Sequence, residues 1–434
     1  MRLLIVSPYF PPQPGAASVR VWSLAQEAVN AGIQTDVLTV TKYEDQISDW
    51  SATTDAKVHE IQGHPPAMLT RFRQTGSVGH QPKGSRIGRQ ISAIRSRTGV
   101  FASVRMPDLT DYWVKPAVEW ARDTYARDGQ WDVVLSSSGP YTAHLVAMQI
   151  KRAHMARSWV TDFRDLWTAN HAYQGLFPYT VYERRLEREV LAQTDAISTV
   201  SKPLAQWLGK RLGNRSPAPV WVIFNGYGER APSGSTPPAN HSWAPDRPIR
   251  LAYTGQLYPN FQNACPLLNA IARLRATGTD IKLTVAGAST ESWAKLARSA
   301  GLRIGDDQGL ELLGEISHQQ AIELQRRSSA LVGFEWNDPK AGVLTNKLFE
   351  YIAAGPLIVL TGPSGPMHEL VKRTGRGIHL GDHADGIEQS IRGLIEGKQP
   401  FPTIVESEVE SLSREHQSSR LIDRIIDLNR GLNR

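Results

Sequence analysis

Thr345-Asn346-Lys347-Leu348-Phe349-Glu350-Tyr351-Ile352-Ala353-Ala354-Gly355 lies between two apolar runs. Ala330-Leu331-Val332-Gly333-Phe334-Glu335-Trp336 precedes it and Pro356-Leu357-Ile358-Val359-Leu360 follows it. Both flanks read as strands. Residues 347–354 contain no helix breaker, and Gly355-Pro356 stop the run where a helix C-terminus should stop. The order is strand, loop, short helix, strand, a βαβ unit on a parallel sheet. In such sheets ligands collect beyond the carboxyl ends of strands and at helix N-termini, where free amides favour phosphate. Lys347 in the first turn adds a mobile positive charge there. Glu350, one turn later on the same face, can accept hydrogen bonds from a diol such as a ribose. Periodicity alone leaves a second reading open, in which both side chains are the solvated face of an amphipathic helix.

The string K-L-F-E-Y-I-A-A-G-P-L-I-V resembles the nucleotide-sugar site of glycosyltransferase family four, (S/N)-K-x-x-E-Y-x-A-x-G-x-P-V. The resemblance implies that Glu350 binds the ribose of a donor nucleotide and that basic groups near it bind the diphosphate.

At 434 residues the chain is long enough for two domains, and 41% apolar with 21% charged residues suits a soluble globular protein. One cysteine, Cys265, excludes an intrachain disulfide and a multi-cysteine metal site and fits a reducing cytoplasm. No apolar run approaches the roughly 20 residues that span a bilayer. Met1-Arg2-Leu3-Leu4-Ile5-Val6 ends at Ser7-Pro8, too short for a signal-peptide core, and reads as the first strand. The net charge of +7 (49 Lys+Arg minus 42 Asp+Glu) is unevenly placed. Residues 61–107 hold no acidic residue but contain Arg71, Arg73, Lys83, Arg86, Arg89, Arg95, Arg97 and Arg105. This segment, 71–105 above all, either faces anionic lipid or a phosphorylated acceptor, or is a solvated excursion. No aromatic–basic interleaving accompanies the charge, which argues against nucleic acid.

In the amino-terminal half, a strand over 3–7 leads into the proline-rich loop Pro8-Tyr9-Phe10-Pro11-Pro12-Gln13-Pro14-Gly15, then a helix over 17–31 and a strand over 35–39. No G-x-G-x-x-G is present, which argues against a nicotinamide dehydrogenase. The string S-P-Y-F-P-P-x-x-G-A-A-x-x-R resembles the first loop of family-four enzymes, which implies that Gly15 and Ala16 approach donor phosphates or acceptor. Arg20 matches the family's common arginine, as a binder or a brace. From 46 to 110 no element is assigned. A helix is expected over 116–126. The strand from Trp131 runs into a Ser/Gly loop, and His144 opens the next helix. Family-four enzymes often carry a histidine after this strand. Here Ser136 and Ser138 stand in those places, so His144 is a candidate, alternatively a packing residue. Asp162-Phe163-Arg164-Asp165-Leu166-Trp167 resembles the D-x-R-D-x-W of a bacterial subgroup that builds surface polysaccharides. The two aspartates flanking Arg164 form either an ion-pair brace or a site, with Asp165 the preferred ligand-facing member.

Residues 228–248, rich in Pro, Ser, Gly and Asn, read as a linker. Strands over 249–254, 281–286 and 310–313 then alternate with helices. Many family-four members carry G-R-x-x-x-x-x-K after the first of these strands, where Arg and Lys grip the diphosphate. Here Gly255 is followed by Gln256 and Gln262, amides that donate hydrogen bonds without neutralising charge. A second departure is Gly342, where relatives place a first glutamate. Sugar contacts then fall to the backbone of 341–344, with Leu344, Thr345 and Asn346 leading into the helix. The loop Thr361-Gly362-Pro363-Ser364-Gly365-Pro366 offers either another anion site at a helix N-terminus or a plain turn.

The expected fold is α/β, the GT-B architecture of two doubly wound Rossmann-like domains facing across a cleft. The domains are 1–228 for the acceptor and 249–405 for the donor, with a helix in 406–434 packing back on the first. The expected activity is a retaining glycosyltransferase taking a UDP- or GDP-sugar as substrate, without cofactor or metal. Its acceptor is lipid-linked or saccharide, in cell-surface polysaccharide or glycoconjugate synthesis, in the cytoplasm or at the inner membrane face. His144, Asp165 and Lys347 are the candidate catalytic residues. Two rivals are a GT-B sugar-nucleotide epimerase and a non-catalytic scaffold of a polysaccharide assembly complex.

Overall fold

Strand β1 (Arg2–Val6) buries Leu3, Leu4, Ile5 and Val6 completely and pairs in parallel with β2 (Gln34–Val40) and β4 (Trp131–Ser138). A parallel strand covered on both faces reads as a continuous apolar run, which is why this one was visible in sequence. The structure, a computed structural model, describes residues 1–44, 47, 53–70, 95, 97–213, 217–230, 243–244, 247–288, 290–305 and 308–432.

With β3 (Lys57–Ile61), β5 (Ala156–Phe163), β6 (Ala196–Thr199) and β7 (Val220–Val222), the first sheet runs β3-β2-β1-β4-β5-β6-β7. Helices α1 (Ala16–Asn30), α2 (Ala67–Thr70), α3 (Asp111–Asp128), α4 (Thr142–Arg152), α5 (Tyr179–Gln193) and α6 (Lys202–Leu212) belong to the same unit. Helix α3 starts five residues before Pro116, earlier than a proline at a helix start would place it.

The second sheet contains β8 (Ile249–Thr254), β9 (Ile281–Ala286), β10 (Leu310–Gly314), β11 (Ala330–Phe334), β12 (Leu357–Thr361) and β13 (Gly377–Gly381), in the order β10-β9-β8-β11-β12-β13. Its helices are α7 (Cys265–Ala276), α8 (Thr290–Ser299), α9 (His318–Arg327), α10 (Asn346–Ala354), α11 (Pro366–Thr374), α12 (Ala384–Ile395) and α13 (Glu406–Glu410). The last helix, α14 (Arg414–Leu432), packs on α1, and Leu421, Ile422 and Ile425 join the core around β1. The chain thus divides into Met1–Asn225 with Arg414–Arg434, and Gly226–Ser413. The segment 406–434 splits between them, α13 staying with the second.

Both sheets are doubly wound. In each, the chain leaves the first strand on one side and returns to the other, so the loops after β1 and β4, and after β8 and β11, part at a crevice. Among the described residues no helix is long and apolar enough to cross a membrane.

Of the basic segment 71–105, residues 71–94 and 96 lie outside the described residues. Arg105 is not a surface charge. Its guanidinium is buried against Glu183, donating at 3.0 and 2.8 Å, and Glu183 also accepts from Met106 N and Trp167 Nε1. Removing one partner of such a pair strands the other charge in low dielectric. Glu183→Ala is therefore expected to cost about 3–5 kcal/mol in urea denaturation; a cost below about 1 kcal/mol, the range of exposed pairs, would contradict this burial.

Candidate functional site

In the second unit the crevice lies where β8 and β11 end. Lys347, in the first turn of α10, reaches back over the end of β8. Its Nζ donates to the Tyr253 hydroxyl at 2.6 Å and to the Gln256 carbonyl at 3.3 Å, and lies 4.0 Å from the centre of the Tyr253 ring. An ammonium has three N–H donors, so one is left over from these two acceptors. Burial pushes the Lys347 ammonium down to about 7, with Glu350 opposing the shift. Gly255 has φ +107°, and a Cβ there would come within 3.1 Å of Lys347 Nζ, so glycine is what lets the lysine cross the loop.

Helix α10 is pinned from several directions. The Tyr351 hydroxyl accepts from Thr254 N at 2.8 Å, fixing the helix to β8. The buried Arg376 donates to the Ile352 and Gly355 carbonyls, closing the C-terminus where the helix dipole is negative. Leu344 is buried, so only its backbone can face a ligand. Thr345 is the N-cap in extended conformation without a side-chain cap bond, and Asn346 is the first helical residue. Glu350 is exposed one turn from Lys347. The structure therefore brings Gly255, the Gln256 backbone, Lys347 and the start of α10 together.

Gln262 does not belong with them as an amide donor. It is buried, its Nε2 donates to the Phe334 carbonyl at 3.0 Å, and its Oε1 accepts from Tyr258 N at 3.2 Å. It braces the loop. The Gln256 side chain is exposed.

Sequence reasoning passed over Glu335. It directly follows β11, is buried, and accepts from Met367 N at 3.4 Å and His368 N at 3.1 Å. The first-turn amides of α11 thus carry the chain's own carboxylate. Burial raises Glu335 to about 7, although these backbone bonds oppose the shift. A Cβ at Gly365 would lie 2.6 Å from Glu335 Oε1, so glycine there makes room for the carboxylate. An acid at the end of an apolar central strand was the available signal. Beside it, His368 and His379 stack at 4.8 Å, held by Ser364 and the Gly362 carbonyl.

In the first unit, Gly15 and Ala16 are exposed at the start of α1, Gly15 with φ +119°. The loop before them is tied down by Lys42, whose Nζ donates to the Pro8 and Val40 carbonyls and the Thr39 hydroxyl. Arg20 is a brace: it donates to both oxygens of Asp162, at 3.0 and 2.8 Å, and to the Phe224 carbonyl. Arg164 donates to the Ser138 and Gly139 carbonyls, tying the loop after β5 to that after β4. Its neighbour Asp165 is exposed. His144 has no exposed surface; its Nδ1 meets the Ser136 hydroxyl at 2.8 Å, and its Nε2 is buried without a partner among the described residues. Burial pushes the imidazole down to about 3, so it is neutral and sealed from substrate in this conformation.

Residues 15–226 match the model of a glycosyl transferase 4-like domain, and 248–397 match that of glycosyl transferases group 1. No curated protein sequence matches at significant similarity. Solved structures of similar fold include the lipopolysaccharide outer core galactosyltransferase WaaB in its apo form, 15% identical, with TM-score 0.63 over 98% of this chain and 99% of that one. A glycosyltransferase from Rickettsia africae ESF-5 is 13% identical, with TM-score 0.60 over 98% of each chain. Anabaena HepE in complex with UDP is 12% identical, with TM-score 0.54 over 100% of this chain and 98% of that one. At these identities the likeness is one of fold, and that fold is GT-B. Matched in order, the two glycosyl transferase models together span most of the chain, which carries a glycosyl transferase 4-like domain over 15–226 and a glycosyl transferases group 1 domain over 248–397.

Proposed function

We propose that the protein transfers a glycosyl group from a nucleotide-sugar donor, a UDP- or GDP-sugar, to a lipid-linked or saccharide acceptor. The setting is cell-surface polysaccharide or glycoconjugate synthesis in the cytoplasm, at the inner face of the membrane. The observation that carries this reading is the Lys347 ammonium held over the Tyr253 ring at the N-terminus of α10, with Glu350 exposed one turn on. A diphosphate meets there a cation and the helix's first amides, while a ribose diol meets a carboxylate. The developing charge on the leaving diphosphate falls on the same groups, without a metal. Anabaena HepE, of the same fold, is seen with UDP and with UDP-glucose, which supports a nucleotide donor here. Retention follows from same-face attack guided by the departing phosphate, since no carboxylate is assigned as nucleophile. In this reading Asp165, which is exposed, accepts a hydrogen bond from an acceptor hydroxyl.

The test is transfer from a panel of nucleotide sugars to lipid-linked and free saccharide acceptors, with Glu350→Ala alongside. Transfer is expected with at least one donor, and its donor KM should rise about tenfold in the variant. No transfer from any donor, together with no nucleotide binding, overturns the reading.

Lys347 gives a pH signature. A lysine near 7 is about 90% neutral at pH 8, and a bound diphosphate draws the proton back. UDP binding at pH 8 should therefore take up close to one proton, and almost none below pH 6, measured by calorimetry in buffers of different ionisation enthalpy. Affinity should fall as pH rises through 7. Lys347→Met should abolish the uptake and weaken binding about tenfold to a hundredfold.

A further inference from the structure

Within the first unit, residues 176–182 hold five of the exposed large apolar side chains. Leu176 is 37% exposed, Phe177 79%, Tyr179 39%, Val181 59% and Tyr182 53%. They form the approach to α5 and its first turn. The helix then sorts its charges. Glu183 and Glu187 point inward and are fully buried, the first on Arg105, the second accepting from the Thr168 amide and hydroxyl. Arg184, Arg185 and Arg188 all point outward. Val181, Arg184, Arg185 and Arg188 are spaced i, i+3, i+4 and i+7, one face of a helix. The carboxylate nearest that face, Glu189, is half-buried and shared by Arg152 and Arg185. The surface that results is aromatic and aliphatic at one end and cationic along its length.

We propose that residues 176–182 and the outward arginines of α5 form a docking surface for an anionic lipid bilayer. Phe177 and Val181 enter the headgroup layer, Tyr179 and Tyr182 lie at its level, and the arginines meet lipid phosphates. The chemistry matches part by part: amphipathic aromatic rings favour the boundary between acyl chains and water, and arginines favour a negative surface. The surface is separate from segment 71–105, and the proposal does not depend on the transferase reading.

The experiment is sedimentation of the full chain, without substrates, on vesicles of phosphatidylcholine alone and of phosphatidylcholine mixed with phosphatidylglycerol. The chain should bind the anionic vesicles, bind the neutral ones far less, and be released as salt shortens the screening length. Phe177→Ser with Val181→Ser should weaken binding about tenfold. Arg184→Gln with Arg188→Gln should weaken it about fivefold per arginine and flatten the salt dependence. All four side chains are exposed, and circular dichroism melts should match those of the unaltered chain. No binding to anionic vesicles overturns the proposal. So does binding by both variants that equals that of the unaltered chain. A Phe177→Ser, Val181→Ser chain that changes its size on gel filtration while keeping its vesicle binding would reassign the patch to contact between copies.

Discussion

Asp162 has no exposed surface, and a carboxylate in that position is tolerated only if every lone pair is answered. Two bonds come from Arg20 on α1, one from Ser137 on β4 and one from Ser198 on β6. Burial alone would raise its pKa; Arg20, with the Ser137 hydroxyl and the charge of Arg164, outweighs that and holds it below the usual carboxylate range. Arg20 also donates to the Phe224 carbonyl, which draws the end of the first unit's main segment into the same knot. The ends of β4, β5 and β6 therefore cannot shift independently. Every loop at that crevice, including those carrying Arg164, Asp165 and Gly139, inherits its position from this one buried charge.

The second unit solves the equivalent problem with bonds to backbone. Tyr351, Gln262 and Arg376 bond to backbone, so the loop after β8 and the helix after β11 are fixed without a buried ion pair. Lys347 is already confined against Tyr253, so little side-chain freedom is left to lose on binding, and its burial there lowers its pKa. Glu350, outside this frame, keeps its exposure.

The doubly wound architecture was legible because buried parallel strands such as β1, β11 and β12 are unbroken apolar runs. Strand β3 was not legible. Its Lys57-Val58-His59-Glu60-Ile61 lies at the sheet edge with no buried residue, so no apolar signal marks it. Lys347 and Glu350 were found through a motif, and periodicity alone left them as a wet helix face. The roles of Gln262, Arg376 and Glu335 depend on partners 72, 24 and 32 residues away, a distance no local pattern records. Charge misled where burial decided: Arg105 belongs to a basic run yet lies inside, and the balanced composition of α5 hides a one-sided surface.

The packing of α14 on α1 also sets an order of events. The second unit is one unbroken stretch, Gly226–Ser413, whereas the core around β1 needs Leu421, Ile422 and Ile425 from the far end of the chain. A ribosome delivers those residues after the whole of the second unit. During synthesis the second unit has all its parts while the first still lacks one wall of its core. The first unit, begun before the second, can close only after it, and α1 keeps an uncovered apolar face until α14 is made.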